Sequence, residues 1–504
     1  MRRLVTDYLD GTRSQYPDKV AFVDQFREIT FAKLYEEACH VACEIIRSGH
    51  FKRPVLIYMD KCVSMISSFI GTAYSGNTYT PVDINMPEER VRKITTVLCP
   101  AMVITDRTNF NHARILFDGI PIGIFEDIMR NEYDEELINQ TVSRVIDTDT
   151  LYILFTSGST GVPKGVMINH RAVIDFTDWI SDCYGFDETT VFANQAQLFF
   201  DLSIQDVYAP LRNGSTTILI RNRLYSSPVR VWKTILNHNV NTLVWIPTML
   251  TLFANLDVLA NTEKAPLKTV LFCGEAMPVK QLNYWISNYP DTVFGNLYGP
   301  TECTEACTYY TIDRMFEDDD MLPIGRPCEN SDAFILSENG ELITSEGIVG
   351  ELCVRGVCLR NGYYGEPELT KEVFVQNPFN QKYRDIVYKT GDLVFYNERG
   401  ELVYVCRKDL QVKVHGYRVE LGEIEQAASS VEGVEYCCCL FDNKNELLML
   451  VYTGDADSND LKSALSQRLQ EYMLPAAYIK RNQMLFNVNG KINRKALVDE
   501  YIEK

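Results

Sequence analysis

A run of small hydroxyl residues and glycines follows an apolar segment in LYILFTSGSTGVPKGVMINH, residues 151–170. Glycines let the backbone approach an anion, and consecutive N–H groups, hydroxyls and an ammonium can hold phosphate oxygens. The loop is not a GxxxxGK[ST] loop, because Lys164 stands between Pro163 and Gly165. We interpret it as a phosphate-binding loop, with an ordinary hairpin tip as the alternative. Its candidate residues are Thr156, Ser157, Gly158, Ser159, Thr160, Gly161 and Lys164.

A second polar motif, NLYGPTE at residues 296–302, places an aromatic ring beside a Gly-Pro turn. The ring of Tyr298 offers a face on which a base can stack. Asn296 can read an amino group, and Thr301 can donate to phosphate. Glu302 is a hard oxygen ligand of the kind that Mg²⁺ prefers. The alternatives are a tight turn at Gly299-Pro300 and a surface acid at Glu302.

One acidic residue bears on the class of substrate. Asp201 follows two aromatic residues in FFDLSIQD, just before a predicted helix. A buried carboxylate needs a cationic partner, and an amino acid would bring one in its α-ammonium. The alternative is a helix N-cap, a role that Asp fills well.

Elements that alternate along the chain must position these residues. Helical spacing at residues 29–48, 65–76 and 87–98 alternates with apolar strands at 54–60 and 101–106, and strands recur near 242–247 and 269–275. Alternating strands and helices predict parallel sheets covered by helices. After about residue 325 the pattern becomes β-rich with Asn-Gly and Arg-Gly turns, and a compact α+β tail follows that includes a predicted amphipathic helix over residues 458–473.

Composition excludes several classes of protein. The 504 residues carry 49 Lys+Arg and 68 Asp+Glu, a formal net charge of −19, so nucleic acid is a poor main partner. No apolar run is long enough for a membrane helix, and the N-terminus lacks the apolar core of a signal peptide. The 15 cysteines include no CxxC pair. We expect reduced thiols in a cytoplasmic protein.

Together the motifs resemble those of the adenylate-forming (AMP-binding) superfamily. Besides TSGSTGVPKG, they are FDLSIQDVYAPL (200–211), NLYGPTE (296–302), GELCVRG (350–356), NGYYGEPELT (361–370), YKTGDL (388–393), RKDLQVKVHGYRVELGEIE (407–425) and NGKINRKAL (489–497). They occur in the family's order and span nearly the whole chain. The resemblance implies a large α/β body of two helix-covered, mostly parallel sheets at residues 1–406, with a β-rich subdomain at about 325–406. A small mobile α+β domain at 407–504 follows.

The resemblance also implies roles for individual residues. Lys491, otherwise readable as a solvated lysine, would bridge the substrate carboxylate and the α-phosphate as the catalytic residue. Asp392, otherwise a turn cap, and Arg407, otherwise a surface ion pair, would bind ribose. Glu302 would hold Mg²⁺, and Asp409 would be the hinge. The implied ATP-binding set is the phosphate loop with Asn296, Leu297, Tyr298, Gly299, Pro300, Thr301, Asp392, Tyr404, Arg407 and Lys491.

The branch that the chain resembles most is the amino-acid-activating one, with stand-alone D-alanine–carrier protein ligases and the adenylation domains of non-ribosomal peptide synthetases. Asp201 would pair with the α-ammonium, and Cys273, otherwise a core cysteine, would line the side-chain pocket. Glu305 departs from the likeness, since a small apolar residue is expected there for alanine. Facing the pocket, it would prefer a second cation or a hydroxyl. Facing solvent or a structural arginine, it would leave alanine possible.

The resulting hypothesis is an ATP- and Mg²⁺-dependent enzyme that makes an aminoacyl adenylate and pyrophosphate. It would then transfer the aminoacyl group of D-alanine, or of another small or polar amino acid, to the phosphopantetheine thiol of a separate carrier protein. We expect a cytoplasmic monomer that neither binds nucleic acid nor inserts into a membrane. The alternatives are an acyl- or aryl-CoA synthetase, against which Asp201 argues, and an inactive nucleotide-binding scaffold.

Overall fold

The computed structural model describes residues 3–158, 162–260, 262–317, 320–359, 362–408, 411–486 and 492–502. The chain divides into two compact units. The first comprises Met1–Ile84, Leu98–Leu154 and Gly165–Cys406, and the second comprises Asn85–Val97, Phe155–Lys164 and Arg407–Lys504. Among the described residues, no helix is both long and apolar enough to cross a bilayer.

The helices are α1 (Thr6–Gln15), α2 (Phe31–Arg47), α3 (Val63–Tyr74), α4 (Glu88–Leu98), α5 (Phe110–Leu116), α6 (Phe125–Ile128), α7 (Glu135–Val142), α8 (His170–Tyr184), α9 (Ile204–Asn213), α10 (Pro228–Asn237), α11 (Pro247–Asn255), α12 (Val279–Asn288), α13 (Pro367–Val373), α14 (Leu421–Ser429), α15 (Ser458–Ser466) and α16 (Arg494–Tyr501). Short 3₁₀ turns occupy Asp201–Ser203, Asn222–Ser226, Thr301–Cys303 and Glu471–Met473.

The strands of the first unit are β1 (Val20–Val23), β2 (Glu28–Thr30), β3 (Pro54–Tyr58), β4 (Thr78–Val82), β5 (Met102–Thr105), β6 (Ile122–Ile124), β7 (Thr150–Thr156), β8 (Lys164–Asn169), β9 (Val191–Asn194), β10 (Thr216–Leu219), β11 (Thr242–Trp245), β12 (Thr269–Cys273), β13 (Val293–Tyr298), β14 (Thr308–Thr311), β15 (Pro323–Pro327), β16 (Ser331–Leu336), β17 (Leu342–Ile343), β18 (Gly350–Gly356), β19 (Phe374–Gln376), β20 (Ile386–Tyr396) and β21 (Leu402–Arg407). The ends of β7, β8 and β21 extend into the second unit, which also contains β22 (Gln411–Val414), β23 (Tyr417–Glu420), β24 (Val434–Asp442), β25 (Leu447–Gly454) and β26 (Ala477–Lys480).

Two sheets organise the first unit. One has the order β6-β5-β3-β4-β7-β8, in which the pairs from β6 to β7 are parallel. In the other, β1, β10, β9, β11, β12 and β13 pair in parallel in that order. Helices α2, α3, α8 and α9 share one apolar core with strands of both sheets. The fold is therefore mixed α/β with helix-covered sheets, as the alternating sequence pattern predicts.

Local sequence explains where these helices begin and end. The side chain of Thr30 accepts a hydrogen bond from the Lys33 amide at 3.3 Å and caps α2, and Asn169 caps α8 by accepting from the Ala172 amide at 3.1 Å. Helix α8 ends at Gly185, whose φ of 67° lies in the left-handed region that glycine adopts without steric cost.

The β-rich part is continuous with the second sheet. Strand β14 pairs antiparallel with β13, and the ladder runs on through β15 and β21 to β20, β18, β16 and β17. Its core contains Ile335, Leu352, Val354 and Val394. This extension holds Asp392 and Tyr404 on β20 and β21.

The second unit has its own apolar core, which includes Ile424, Leu450 and Met473. Within this unit, Arg90 and Glu423 form a buried ion pair. The predicted helix over residues 458–473 is only partly present, since α15 ends at Ser466 and a 3₁₀ turn follows at Glu471–Met473. Leu469 and Met473 remain buried after the helix has ended, so their apolar spacing reports burial rather than a continuous helix.

Candidate active site

Several candidate residues of the first unit lie at or beyond the carboxyl ends of parallel strands of one sheet. Cys273 is the last residue of β12 and pairs with Leu297 on β13, which ends at Tyr298. Asp201 follows β9, which lies beside β11 in the same sheet. Ligands of open α/β sheets bind at this edge. The topology thus gathers residues that are far apart in the sequence.

Tyr298 and Asp392 form a buried polar pair. The Tyr298 hydroxyl donates a hydrogen bond to the Asp392 carboxylate, and the two residues are 6% and 4% exposed. The Tyr404 ring lies with its centroid 6.4 Å from that of Tyr298, at 37° between the planes. Burial and the charge of Asp392 raise the pKa of Tyr298 well above its usual value, so the phenol remains a donor. The residues to which the resemblance gives adenine and ribose therefore lie together.

Glu302 is fully buried in the 3₁₀ turn after β13, which is not the surface position of the alternative interpretation. Its Oε1 accepts a hydrogen bond from the Tyr363 hydroxyl at 2.6 Å. No cluster of three or more His, Cys, Asp or Glu side chains suited to a metal occurs in the described part of the chain. Mg²⁺ is commonly held by one or two carboxylates together with substrate phosphates, and a single buried carboxylate fits that arrangement.

The turn between Tyr298 and Glu302 is shaped by a close backbone approach. A Cβ on Gly299 would lie 2.5 Å from the carbonyl oxygen of Glu305 and 2.7 Å from the Cα of Ala306. Both neighbours are backbone atoms and cannot rotate away. The Nδ2 group of Asn296 is also engaged, because it donates to the Pro323 carbonyl at 2.8 Å. Leu297 is buried in the strand core.

We expect Gly299→Ala to destabilise the protein by about 1–3 kcal/mol, because the added methyl group forces backbone shifts in a packed region. The measurement is the urea midpoint of unfolding. Gly11→Ala is the matched control, since a Cβ at this helical position meets nothing within 4 Å. It should be neutral or slightly stabilising. Equal midpoints for the two variants would contradict the close approach.

Asp201 begins the 3₁₀ turn that precedes α9, and its Oδ1 accepts from the Leu202 amide at 2.9 Å. This bond to the adjacent amide is not an N-cap, because a capping side chain accepts from the amide two or three residues further on, and neither the 3₁₀ turn nor α9 has a side-chain cap. Cys273 is buried, with its Sγ 4.0 Å from the carbonyl oxygen of Glu305. Cys273 and Glu305 therefore lie side by side in this region.

Glu305 is buried. It is 2% exposed, and neither Oε1 nor Oε2 has a hydrogen-bond partner among the described residues. The interpretation in which Glu305 faces solvent is therefore wrong, and no arginine of the described residues pairs with it. Burial in an apolar interior, where a charge is poorly solvated, makes such a group unusual.

In the second unit, the described phosphate-loop residues contact β23. The Ser157 hydroxyl donates to the Arg418 carbonyl at 2.8 Å, and the Lys164 Nζ lies 3.5 Å from the Glu420 carboxylate. The buried Oγ1 of Thr156 has no hydrogen-bond partner among the described residues. Gly158 is buried, and Arg407 is half-buried at the end of β21.

Five of the candidate residues lie outside the described residues, namely Ser159, Thr160, Gly161, Asp409 and Lys491.

Sequence reasoning missed three polar residues of the first unit. Tyr363, in the NGYYGE motif, holds Glu302. Lys61 is buried after β3, and its Nζ donates to the carbonyls of Gln195 at 3.2 Å and Ala196 at 3.3 Å. Asp206, in the FDLSIQD motif, accepts from the Asn194 side chain at 2.7 Å. A lysine and an aspartate inside apolar stretches were the available signals for the last two.

Curated relatives are similar in sequence over nearly the whole chain. A D-alanine–D-alanyl carrier protein ligase of Lacticaseibacillus rhamnosus is 30% identical over 506 residues, covering 98% of each chain. Tyrocidine synthase 3 of Brevibacillus parabrevis is 31% identical over 515 residues, which cover 99% of this chain and 8% of the length of that relative. The chain thus spans nearly all of the ligase and only a small part of the synthase.

A solved structure agrees in fold. The adenylation domain AlmE of Vibrio cholerae, in complex with glycyl-adenosine-5'-phosphate, superposes with a TM-score of 0.86 at 22% identity, covering 100% of this chain and 98% of that one. The profile of the AMP-binding enzyme family matches residues 9–364. The chain therefore belongs to the AMP-binding enzyme family.

Proposed function

We propose that this protein activates an amino acid with ATP, releases pyrophosphate, and transfers the aminoacyl group to the phosphopantetheine thiol of a carrier protein. The observation that carries the proposal is the placement of Asp201, Cys273 and Tyr298 at or beyond the carboxyl ends of three parallel strands of one sheet. The same edge of the sheet thus offers a carboxylate for an α-ammonium and an aromatic ring for adenine. The D-alanine–carrier ligase relative supports the same reaction.

In this proposal each residue has a separate task. Tyr298 stacks on adenine, Asp392 and Arg407 hold the ribose hydroxyls, and Asn296 lies beside the base. Thr301 and the phosphate loop, residues 156–161 with Lys164, donate to phosphate oxygens. Leu297, Gly299, Pro300 and Tyr404 shape the nucleotide site. Bound Mg²⁺, with Glu302 as its protein ligand, would offset the negative charge of the phosphates.

Lys491 is proposed to bring the two reacting anions together, since its ammonium would neutralise the carboxylate and the α-phosphate as charge accumulates. We further propose that residues 1–406 and 407–504 act as two domains with Asp409 as the hinge. The substrate is D-alanine or another small or polar amino acid. The negative charge of the chain is compatible with a cytoplasmic monomer without nucleic acid.

The test is amino-acid-dependent ATP–pyrophosphate exchange with the common amino acids in both configurations, followed by mass spectrometry of a phosphopantetheinylated carrier protein. We expect exchange with one amino acid or a small group of them, and a matching mass increase on the carrier. Exchange with fatty or aryl acids alone would instead indicate an acyl-CoA synthetase. Silence with every acid would indicate an inactive scaffold.

A further inference from the structure

Glu305 is a buried carboxylate that has no cationic partner among the described residues. Its residue is 2% exposed, and both of its carboxylate oxygens lack hydrogen bonds from the described residues. A buried acid in this state loses its hydration without compensation. Folded proteins pair nearly all such groups, so an exception needs a physical explanation.

The backbone holds this side chain in place at a steric cost. Thr304 and Glu305 have φ values of 57° and 71°, two consecutive non-glycine residues in the left-handed region. Such conformations persist where the surroundings enforce them, and they cluster at ligand sites. Here the enforcing contacts are the close approach of the Glu305 carbonyl to Gly299 and its proximity to the Cys273 thiol. The backbone of Glu305 is thus constrained by the same turn that carries the proposed nucleotide residues.

The charges around Glu305 are negative. Asp201 and Asp206 both act on it, and with burial they raise the pKa of Glu305 well above its usual value. Among the described residues, only the backbone N–H of Gln205 opposes this shift, and it lies outside hydrogen-bonding geometry. In the absence of a cation, the Glu305 carboxyl therefore retains its proton at pH values where an exposed glutamate is ionised.

Lys61 interacts with Asp206 and Asp60 rather than with Glu305. Lys61 is 7% exposed, donates to the carbonyls of residues 194, 195 and 196, and acts on Asp206 and Asp60. Burial lowers the pKa of Lys61 to about 7 and raises the pKa of Asp206 to about 7. Asp206 also has the Asn194 amide as a partner. Among the described residues, Lys61 therefore compensates Asp206 rather than Glu305.

We propose that Glu305 recognises a second cationic group, carried on the side chain of the amino-acid substrate. The inference rests on the proposed function, in which Asp201 takes the α-ammonium. A side-chain ammonium would supply both the hydrogen bonds and the positive charge that Glu305 lacks. A neutral hydroxyl would supply one hydrogen bond, whereas an ammonium can donate to both carboxylate oxygens and also favours the ionised form of Glu305. The substrate class is therefore the diamino acids.

The experiment compares matched pairs of amino acids in ATP–pyrophosphate exchange, each in both configurations. The pairs are 2,3-diaminopropionate with alanine, 2,4-diaminobutyrate with 2-aminobutyrate, ornithine with norvaline, and lysine with norleucine. We expect at least one diamino acid to exceed its neutral counterpart in kcat/KM by roughly 10- to 100-fold, the range for an ammonium that pairs with a buried carboxylate.

Glu305→Gln keeps the size of the side chain and removes its charge, so it should abolish this preference. The kcat/KM of the diamino acid should fall by roughly 10- to 100-fold, while that of the neutral partner changes little. Glu338→Gln, at an exposed position, is the matched control and should leave the ratio unchanged. Circular dichroism and thermal unfolding of both variants check the fold.

The outcomes test the diamino-acid inference and the proposed function separately. Exchange with neutral amino acids only, or an unchanged preference in a folded Glu305→Gln variant, would overturn the diamino-acid inference and leave amino-acid activation standing. Silence with every amino acid, while fatty or aryl acids support exchange, would overturn the proposed function itself. Calorimetric binding of the preferred diamino acid, lost in Glu305→Gln, would support the inference without reference to turnover.

Discussion

Replacing Lys491 by alanine is expected to reduce amino-acid-dependent ATP–pyrophosphate exchange by roughly 10²–10³-fold, the typical cost of removing one preorganised charge from a transition state. The reason is electrostatic. The attacking carboxylate and the α-phosphate are both anions, and the proposed ammonium bridges them as they approach. Transfer of the aminoacyl group from supplied aminoacyl adenylate to the carrier thiol does not require that bridge and should continue. The two half-reactions are measured separately on the same preparation.

Lys495 provides the matched control for this variant. It is an exposed lysine of α16, in the same NGKINRKAL segment, and has no proposed role in the chemistry. Lys495→Ala should therefore leave both half-reactions within about twofold of the unmodified protein, as expected for an exposed side chain. Equal loss of exchange and transfer in Lys491→Ala would contradict the bridging role and indicate a general effect on the protein.

The α/β class of the fold could be predicted because it is encoded locally. Apolar runs such as residues 54–60 and amphipathic spacing such as residues 29–48 each indicate one element, and their alternation indicates parallel sheets. The continuity of the β-rich part with the second sheet could not be predicted. It depends on β15 pairing with β21, a contact between distant segments that neither segment encodes alone.

In the candidate site, too, contacts between distant segments could not be predicted from the sequence. The motif around Tyr298 and the motif around Asp392 were recognisable separately, whereas their hydrogen bond required the folded chain. Likewise, the sequence left open whether Glu305 faces solvent, an arginine or a pocket. Burial and missing hydrogen-bond partners are properties of the surroundings, and they became visible only when residues around β9, β12 and β13 were brought together.

Asp201→Asn is expected to lower the kcat/KM for the preferred amino acid by roughly 10²–10³-fold, because it removes the charge that pairs with the α-ammonium in a partly dehydrated site. The corresponding carboxylic acid that lacks the α-amino group should be activated about equally well by the two proteins. The substitution thus reduces the ratio of kcat/KM for the amino acid to kcat/KM for the analogue that lacks the α-amino group. Exchange kinetics with both acids measure this ratio directly.

The choice of asparagine distinguishes substrate recognition from a purely local structural role. The Oδ1 of Asp201 accepts from the Leu202 amide at 2.9 Å, and an asparagine oxygen can accept the same hydrogen bond. If Asp201 only held this turn, Asp201→Asn would keep both the stability and the substrate preference of the unmodified protein. If it recognises the α-ammonium, stability is retained and preference is lost. Thermal unfolding and exchange kinetics on one preparation therefore decide between the two roles, since the local hydrogen bond depends on an oxygen and recognition depends on a charge.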